Sequence, residues 1–128
     1  MTLVNLTPHD INVYHKLPTA TSGPDIVIKY GGLIARCSTT QERLMEVDGI
    51  EVRRRKFGDV HITNPKEITP NTEFRLAHHP GVYYIVSRIV AEALPERTDL
   101  LFPDGIIRNA DGAPVGCTGL ASLSGVKE

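Results

Sequence analysis

The chain has 128 residues and a mass of 14.0 kDa, the size of one domain with an ordinary hydrophobic core. Fourteen Lys+Arg against fifteen Asp+Glu leave a net charge of −1, which excludes a global field drawing the molecule to DNA or an anionic membrane. A composition of 41% hydrophobic and 23% charged residues excludes an intrinsically disordered chain, and four Tyr, three Phe and no Trp leave little for a base-stacking platform.

LVNL (3–6) and INVYH (11–15) read as two short strands around Thr7-Pro8-His9-Asp10. That tetrapeptide is a turn, because Pro8 cannot donate to a ladder and Asp10 can bond its own backbone. KLPTATSGP (16–24) is a polar loop. DIVIKY (25–30) alternates, and Gly31-Gly32 predicts a tight hairpin returning as LIARCS (33–38). RLMEV (43–47) and IEVRRR (50–55) flank Asp48-Gly49, the spacing of a type I′ hairpin. VHIT (60–63) follows, then the Pro-bounded loop NPKEITPNT (64–72), an ambiguous FRLA (74–77) and a turn at HHPG (78–81).

VYYIVS (82–87) is β-branched and aromatic with almost nothing polar, so it belongs in the sheet centre. Ser87 can cap a helix over about 87–94, with Ile89, Val90, Ala93 and Leu94 as its apolar stripe, Arg88 and Glu92 at i,i+4 outside, and Pro95 as its stop. TDLLF (98–102), GIIR (105–108) and PVGCTGL (114–120) are the last strands, with a turn at Asn109-Ala110-Asp111-Gly112 and a flexible tail over 121–128. The pattern predicts an α+β fold in one domain, 1–128: mostly antiparallel sheet of short strands with one main helix.

Chemistry-bearing motifs are sparse. His78-His79 sit in a turn, His9 and His15 flank the first turn, and no HExxH or CxxC spacing is present, so no metal site is expected. Cys37 and Cys117 fall in strand-like apolar runs, where thiols are inert packing; GxSxG, SxxK and phosphate-loop motifs are absent. The expectation is a chain with no catalytic residues and no cofactor. The opening MTLVNLTPHD lacks a basic region followed by an apolar run, and no stretch reaches the roughly 20 apolar residues of a membrane span, so a cytoplasmic location is expected.

The arginines are the informative set. Arg36 interrupts LIARC, Arg53, Arg54, Arg55 and Lys56 form a run of four cations, and Arg108 ends the apolar strand GII. Arg53 and Arg55 share one strand face and Arg54 the other, so one face of the run would turn to the core. Such guanidinium groups need anions. One source is the chain itself, through Asp59, Asp99, Asp104 and Glu51; the other is a phosphorylated ligand gripped by the planar fork. Two arginines on a diphosphate plus one stacked base support micromolar binding, near about −8 kcal/mol, whereas nanomolar retention requires a dry pocket shared between protomers.

NLTPHDINV (5–13), LIARCS, the DG hairpin followed by KFGDV, YYIVSRIVAEAL, ERTDLLFPD and IIRNADGAPVGCTGL together resemble a family of small phage proteins. Within it, the chain is similar to the first Thoeris anti-defence family, viral sponges for cyclic ADP-ribose signals. The resemblance implies a non-enzymatic protein of the bacterial host cytoplasm that sequesters glyco-cyclic ADP-ribose, and cyclic oligonucleotides at separate sites. It also implies a homo-oligomer, dimer or hexamer, with pockets between protomers. By position it implies that Arg36 and Arg108 hold the pyrophosphate, that Asp104 accepts from a ribose hydroxyl or fixes Arg108, and that Tyr83 or Tyr84 stacks on adenine. Phe57 would line the pocket, with Arg54 as a further ligand-binding cation. The alternative is a small phage accessory or structural protein whose arginines make subunit salt bridges and which has no small-molecule ligand.

Overall fold

The structure is a computed structural model that describes residues 2–15, 23–64 and 77–123. Its strands are β1 (Thr2–Asn5), β2 (Ile11–Val13), β3 (Ile26–Ile28), β4 (Ile34–Val47), β5 (Ile50–Thr63), β6 (Val82–Ile85), β7 (Leu100–Arg108) and β8 (Pro114–Ala121), with helix α1 (Arg88–Ala93) between β6 and β7. Six strands form one sheet in the order β1-β6-β7-β8-β2-β3, and among the described residues β4 pairs only with β5. Among the described residues no helix is long and apolar enough to cross a membrane.

The α+β class holds, but the sheet is mixed. β1 and β7 both run parallel to β6, and β2 meets β8 in a parallel bridge at Val13 and Cys117. The cause is β6–α1–β7: Ser87 starts a helix at once, its side chain accepting from Val90 N at 3.5 Å, and the crossover returns the chain in the same direction. Arg88 and Glu92 pair outside at 3.1 Å as their spacing requires. The buried stripe is Val90 and Ala91, while Ile89 remains exposed.

β6 is apolar because both its faces are covered. Tyr84 joins Leu6, Val86, Val90, Leu100 and Phe102 in a cluster under α1 and the base of β4–β5. Tyr83 and Ile85 point the other way, to Ile11, Val13, Leu101 and Cys117. A period of two along β1, β6 and β7 therefore feeds two cores.

Gly31-Gly32 is not a hairpin. β3 pairs with β2 and β4 with β5, so the glycines carry the chain from the sheet to the ribbon. The backbone lies so close there that a Cβ on Gly31 would stand 3.2 Å from Asn5 O. LIARCS and RLMEV are halves of one 14-residue strand, and IEVRRR, KFGD and VHIT form another. Asp48 (φ 51°) and Gly49 (φ 79°) do make the type I′ turn between them. TDLLF and GIIR also merge, into β7, because Gly105 at φ 65° keeps the ladder running past Pro103. Ala121 pairs with Phe102 and so belongs to β8 rather than to a tail. The loop over 16–22, most of NPKEITPNT, residues 74–76 of FRLA, and 124–128 lie outside the described residues.

Candidate functional site

A cleft of about 730 Å³ lies beyond the carboxyl ends of the parallel strands β1 and β6, lined by residues of the Thr7–Asp10 turn, the start of α1, and β7 and β8. Its first wall is the turn Thr7–Asp10. Buried Asn5 shapes that turn: its Nδ2 donates to His9 O (2.9 Å) and Ile28 O (3.1 Å), and its Oδ1 accepts from Thr7 N (2.9 Å) and the Thr7 hydroxyl (2.6 Å). Asn5 and Thr7 of the NLTPHD segment are thus scaffold, two buried side chains that satisfy backbone groups at the base of an exposed turn. Asp10 accepts from Tyr30 N at 2.6 Å, and that bond, with Lys29 nearby, holds its carboxyl below the usual carboxylate range.

The second wall is Ser87 and Arg88. The Arg88 guanidinium lies 5.6 Å from the centre of the Phe102 ring while its Nε donates to Glu92. The floor is apolar, supplied by Phe102, Pro103 and Ile106 of β7 and by Val115 and Cys117 of β8. At Gly116 β8 comes so close to β2 that a Cβ would meet Tyr14 at 2.5 Å and Asn12 O at 2.9 Å. Asn12 ties the two strands, donating to Val115 O at 3.3 Å. Burial pushes the Cys117 thiol up, so it stands there as a protonated, unreactive group. Asp104, exposed on β7, puts a carboxylate on the rim.

The seven residues singled out from the sequence are dispersed by this fold. Asp104 lines the cleft. Arg108 sits at the far end of β7 and donates to Gly112 O at 3.0 Å, bracing the turn that Asn109 organises through its side chain. Arg36 is exposed on β4 opposite His61, without a carboxylate partner among the described residues. Arg54 is exposed and bonded to Glu42 at 2.9 Å, which holds the Glu42 carboxyl below its usual range. Phe57 lies half-buried on β5 opposite Thr39. Tyr83 and Tyr84 pack into opposite cores, and the Tyr84 hydroxyl donates to Ala77 O at 2.9 Å. Neither face of the Arg53–Lys56 run turns to the core, because the outer ribbon has none: Arg53 pairs with Glu51, Arg54 with Glu42 and Arg55 with Glu92.

Sequence reasoning missed Arg88, Phe102 and Asn12. The available signal was Ser-Arg directly after the most apolar strand, a βα junction where open sheets place ligands. Among the described residues no group of three His, Cys, Asp or Glu side chains could hold a metal ion. No protein-family model, curated protein or solved structure matches the chain.

Proposed function

We propose that the chain binds a nucleotide signal of the cyclic ADP-ribose class in this cleft and sequesters it without cleavage. The observation that carries the reading is the cleft itself: about 730 Å³, beyond the carboxyl ends of parallel strands, with Arg88 and Asp104 on its walls. Its volume suits a nucleotide-sized ligand, since such pockets run about 300–1,000 Å³. The apolar floor takes a base, Arg88 takes a phosphate in exchange for part of its bond to Glu92, and Asp104 accepts from a ribose hydroxyl. Three lining groups with reactive potential are already committed: Ser87 caps α1, Asp10 holds Tyr30 N, and Cys117 is buried. That favours binding over turnover. One guanidinium and one stacked base sum to about 2.5–6 kcal/mol, weaker than micromolar, so tighter retention calls for walls added by a second chain.

The test is titration calorimetry with glyco-cyclic ADP-ribose, repeated with a cyclic dinucleotide. Arg88→Ala is expected to weaken binding roughly tenfold to a hundredfold, the loss of one charge-assisted contact, with Asp104→Asn losing less. Ligand released by heat should be chemically intact. No binding by the wild-type chain, or binding indifferent to Arg88→Ala, overturns the reading; altered ligand overturns its non-enzymatic part.

A further inference from the structure

Arg88 reaches the cleft with only part of its guanidinium engaged. Nε donates to Glu92 Oε1 at 3.1 Å, and the group lies 5.6 Å from the centre of the Phe102 ring. Nη1 and Nη2 have no acceptor among the described residues. A guanidinium grips a phosphate best through two parallel N–H groups. The engaged Nε and the open Nη1–Nη2 edge therefore divide this fork into a held side and a receiving side. Phe102 is itself packed in the core under α1, so the ring beneath the guanidinium is fixed.

Glu92 does the holding from α1, one helical turn after Arg88. Its other oxygen, Oε2, stands 3.8 Å from Arg55 Nη1 on β5. One carboxylate is thus shared between two guanidinium groups, and the set of three stays net positive. Glu92 has two opposing effects on an arriving anion. Its charge repels the anion, but its hold on Arg88 removes the cost of ordering a long side chain at the moment of binding. That ordering is worth a factor of roughly two to ten in affinity. The repulsion is the smaller effect here, because the Arg88 side chain is 69% exposed and its surroundings are screened by solvent and salt. Arg55 offsets what repulsion remains. Neither Glu92 nor Arg55 lines the cleft, so both act through Arg88.

We propose that Glu92 is a positioning residue for anion capture, holding Arg88 with its Nη1–Nη2 edge free for a ligand phosphate, and that Arg55 keeps the carboxylate from cancelling the charge of the site. The inference rests on the reading of the cleft as a nucleotide site and names the residues that prepare its cation. A phosphate on the open edge draws charge away from the Nε bond, but the side chain is aligned before the ligand arrives. Through Arg55 the β4–β5 ribbon contributes charge to a cleft that none of its own residues lines.

Calorimetry with glyco-cyclic ADP-ribose, together with nuclear magnetic relaxation of the Arg88 Nε–H group in the ligand-free chain, tests it. Glu92→Ala should weaken binding about threefold to tenfold and loosen the Arg88 Nε–H. Glu92→Gln keeps an oxygen for Nε and should restore both. Arg55→Gln should weaken binding about twofold to threefold at low salt and leave it unchanged at high salt. Unchanged or tighter binding by Glu92→Ala overturns the proposal, since the carboxylate would then be a bystander or a competitor for Arg88. An Nε–H equally ordered without Glu92, or a loss that Glu92→Gln fails to rescue, overturns it as well. No loss in Arg55→Gln, or a loss independent of salt, removes Arg55 from the device. The cleft reading fails differently: a wild-type chain without affinity, or with affinity indifferent to Arg88→Ala, overturns that reading and this inference with it.

Discussion

β6 and the outer β4–β5 ribbon are built from the same kind of residue and meet opposite fates. Ile85 is completely buried between strands on both sides and side chains on both faces, whereas Ile50 in the same extended conformation is 70% exposed. What separates them is the number of neighbours a strand acquires. β6 has two flanking strands, a helix over one face and β2 and β8 beyond the other, so Tyr83, Tyr84 and Ile85 all contribute to a core. In the ribbon each strand has one partner strand, and among the described residues no layer covers it beyond its base. Ladder hydrogen bonds, the Asp48-Gly49 turn and exposed ion pairs hold it, and a two-stranded hairpin of that kind is marginal alone in water. Burial in this chain therefore follows connectivity rather than strand propensity.

Paired substitutions put the contrast at greatest risk. Ile85→Ala should destabilise the fold by about 2–5 kcal/mol, the cost of a cavity at a fully buried site, whereas Ile50→Ala in the dilute chain should stay within about 0.5 kcal/mol. Chemical denaturation monitored by dichroism measures both, and similar values for the two would refute the contrast.

Next in size is the ion pair at the start of β7. Buried Asp99 accepts from Arg97 Nε at 2.8 Å and from Nη2 at 2.5 Å, with His78 Nδ1 at 3.4 Å. Burial alone would raise the Asp99 carboxyl, but the Arg97 and His78 contacts outweigh it and hold the group below its ordinary value. A carboxyl depressed on folding contributes stability above its unfolded pKa and loses that contribution as pH falls through the folded value. Asp99→Asn should therefore cost about 1–3 kcal/mol at pH 7, and the gap to the wild-type chain should close below the usual carboxylate range. Thermal melts from neutral pH downward would show this; a gap independent of pH would contradict it.

The smallest effect belongs to the ribbon. Arg54→Gln removes an exposed pair with Glu42 and should cost no more than about 0.5–1 kcal/mol in the monomeric chain, less at high salt. A larger loss measured on dilute protein would mean that the pair contributes more than a surface ion pair does.

Local features were legible before the fold was seen. The type I′ turn at Asp48-Gly49 follows from which residues tolerate positive φ, the Ser87 cap from an oxygen placed to accept Val90 N, and the burial of β6 from its lack of polar side chains. The candidate site was barely legible. Asp104 lines the cleft, yet Arg36, Arg54 and Phe57 lie on the separate ribbon, Arg108 at the far end of β7, and Tyr83 and Tyr84 in the two cores, because placement in a site depends on which distant strands become neighbours.

The order of amino acids was enough for everything that contacts a few residues apart decide: turns, cap, strand tendency and the α+β class. Only the assembled fold decided that β1, β6 and β7 run parallel, that β4 pairs with β5 in a separate ribbon, and that Asn5 shapes a turn which meets Arg88 across a cleft. Those outcomes depend on which distant strands become neighbours, and that choice is made by the total burial of the assembled sheet rather than by any single segment.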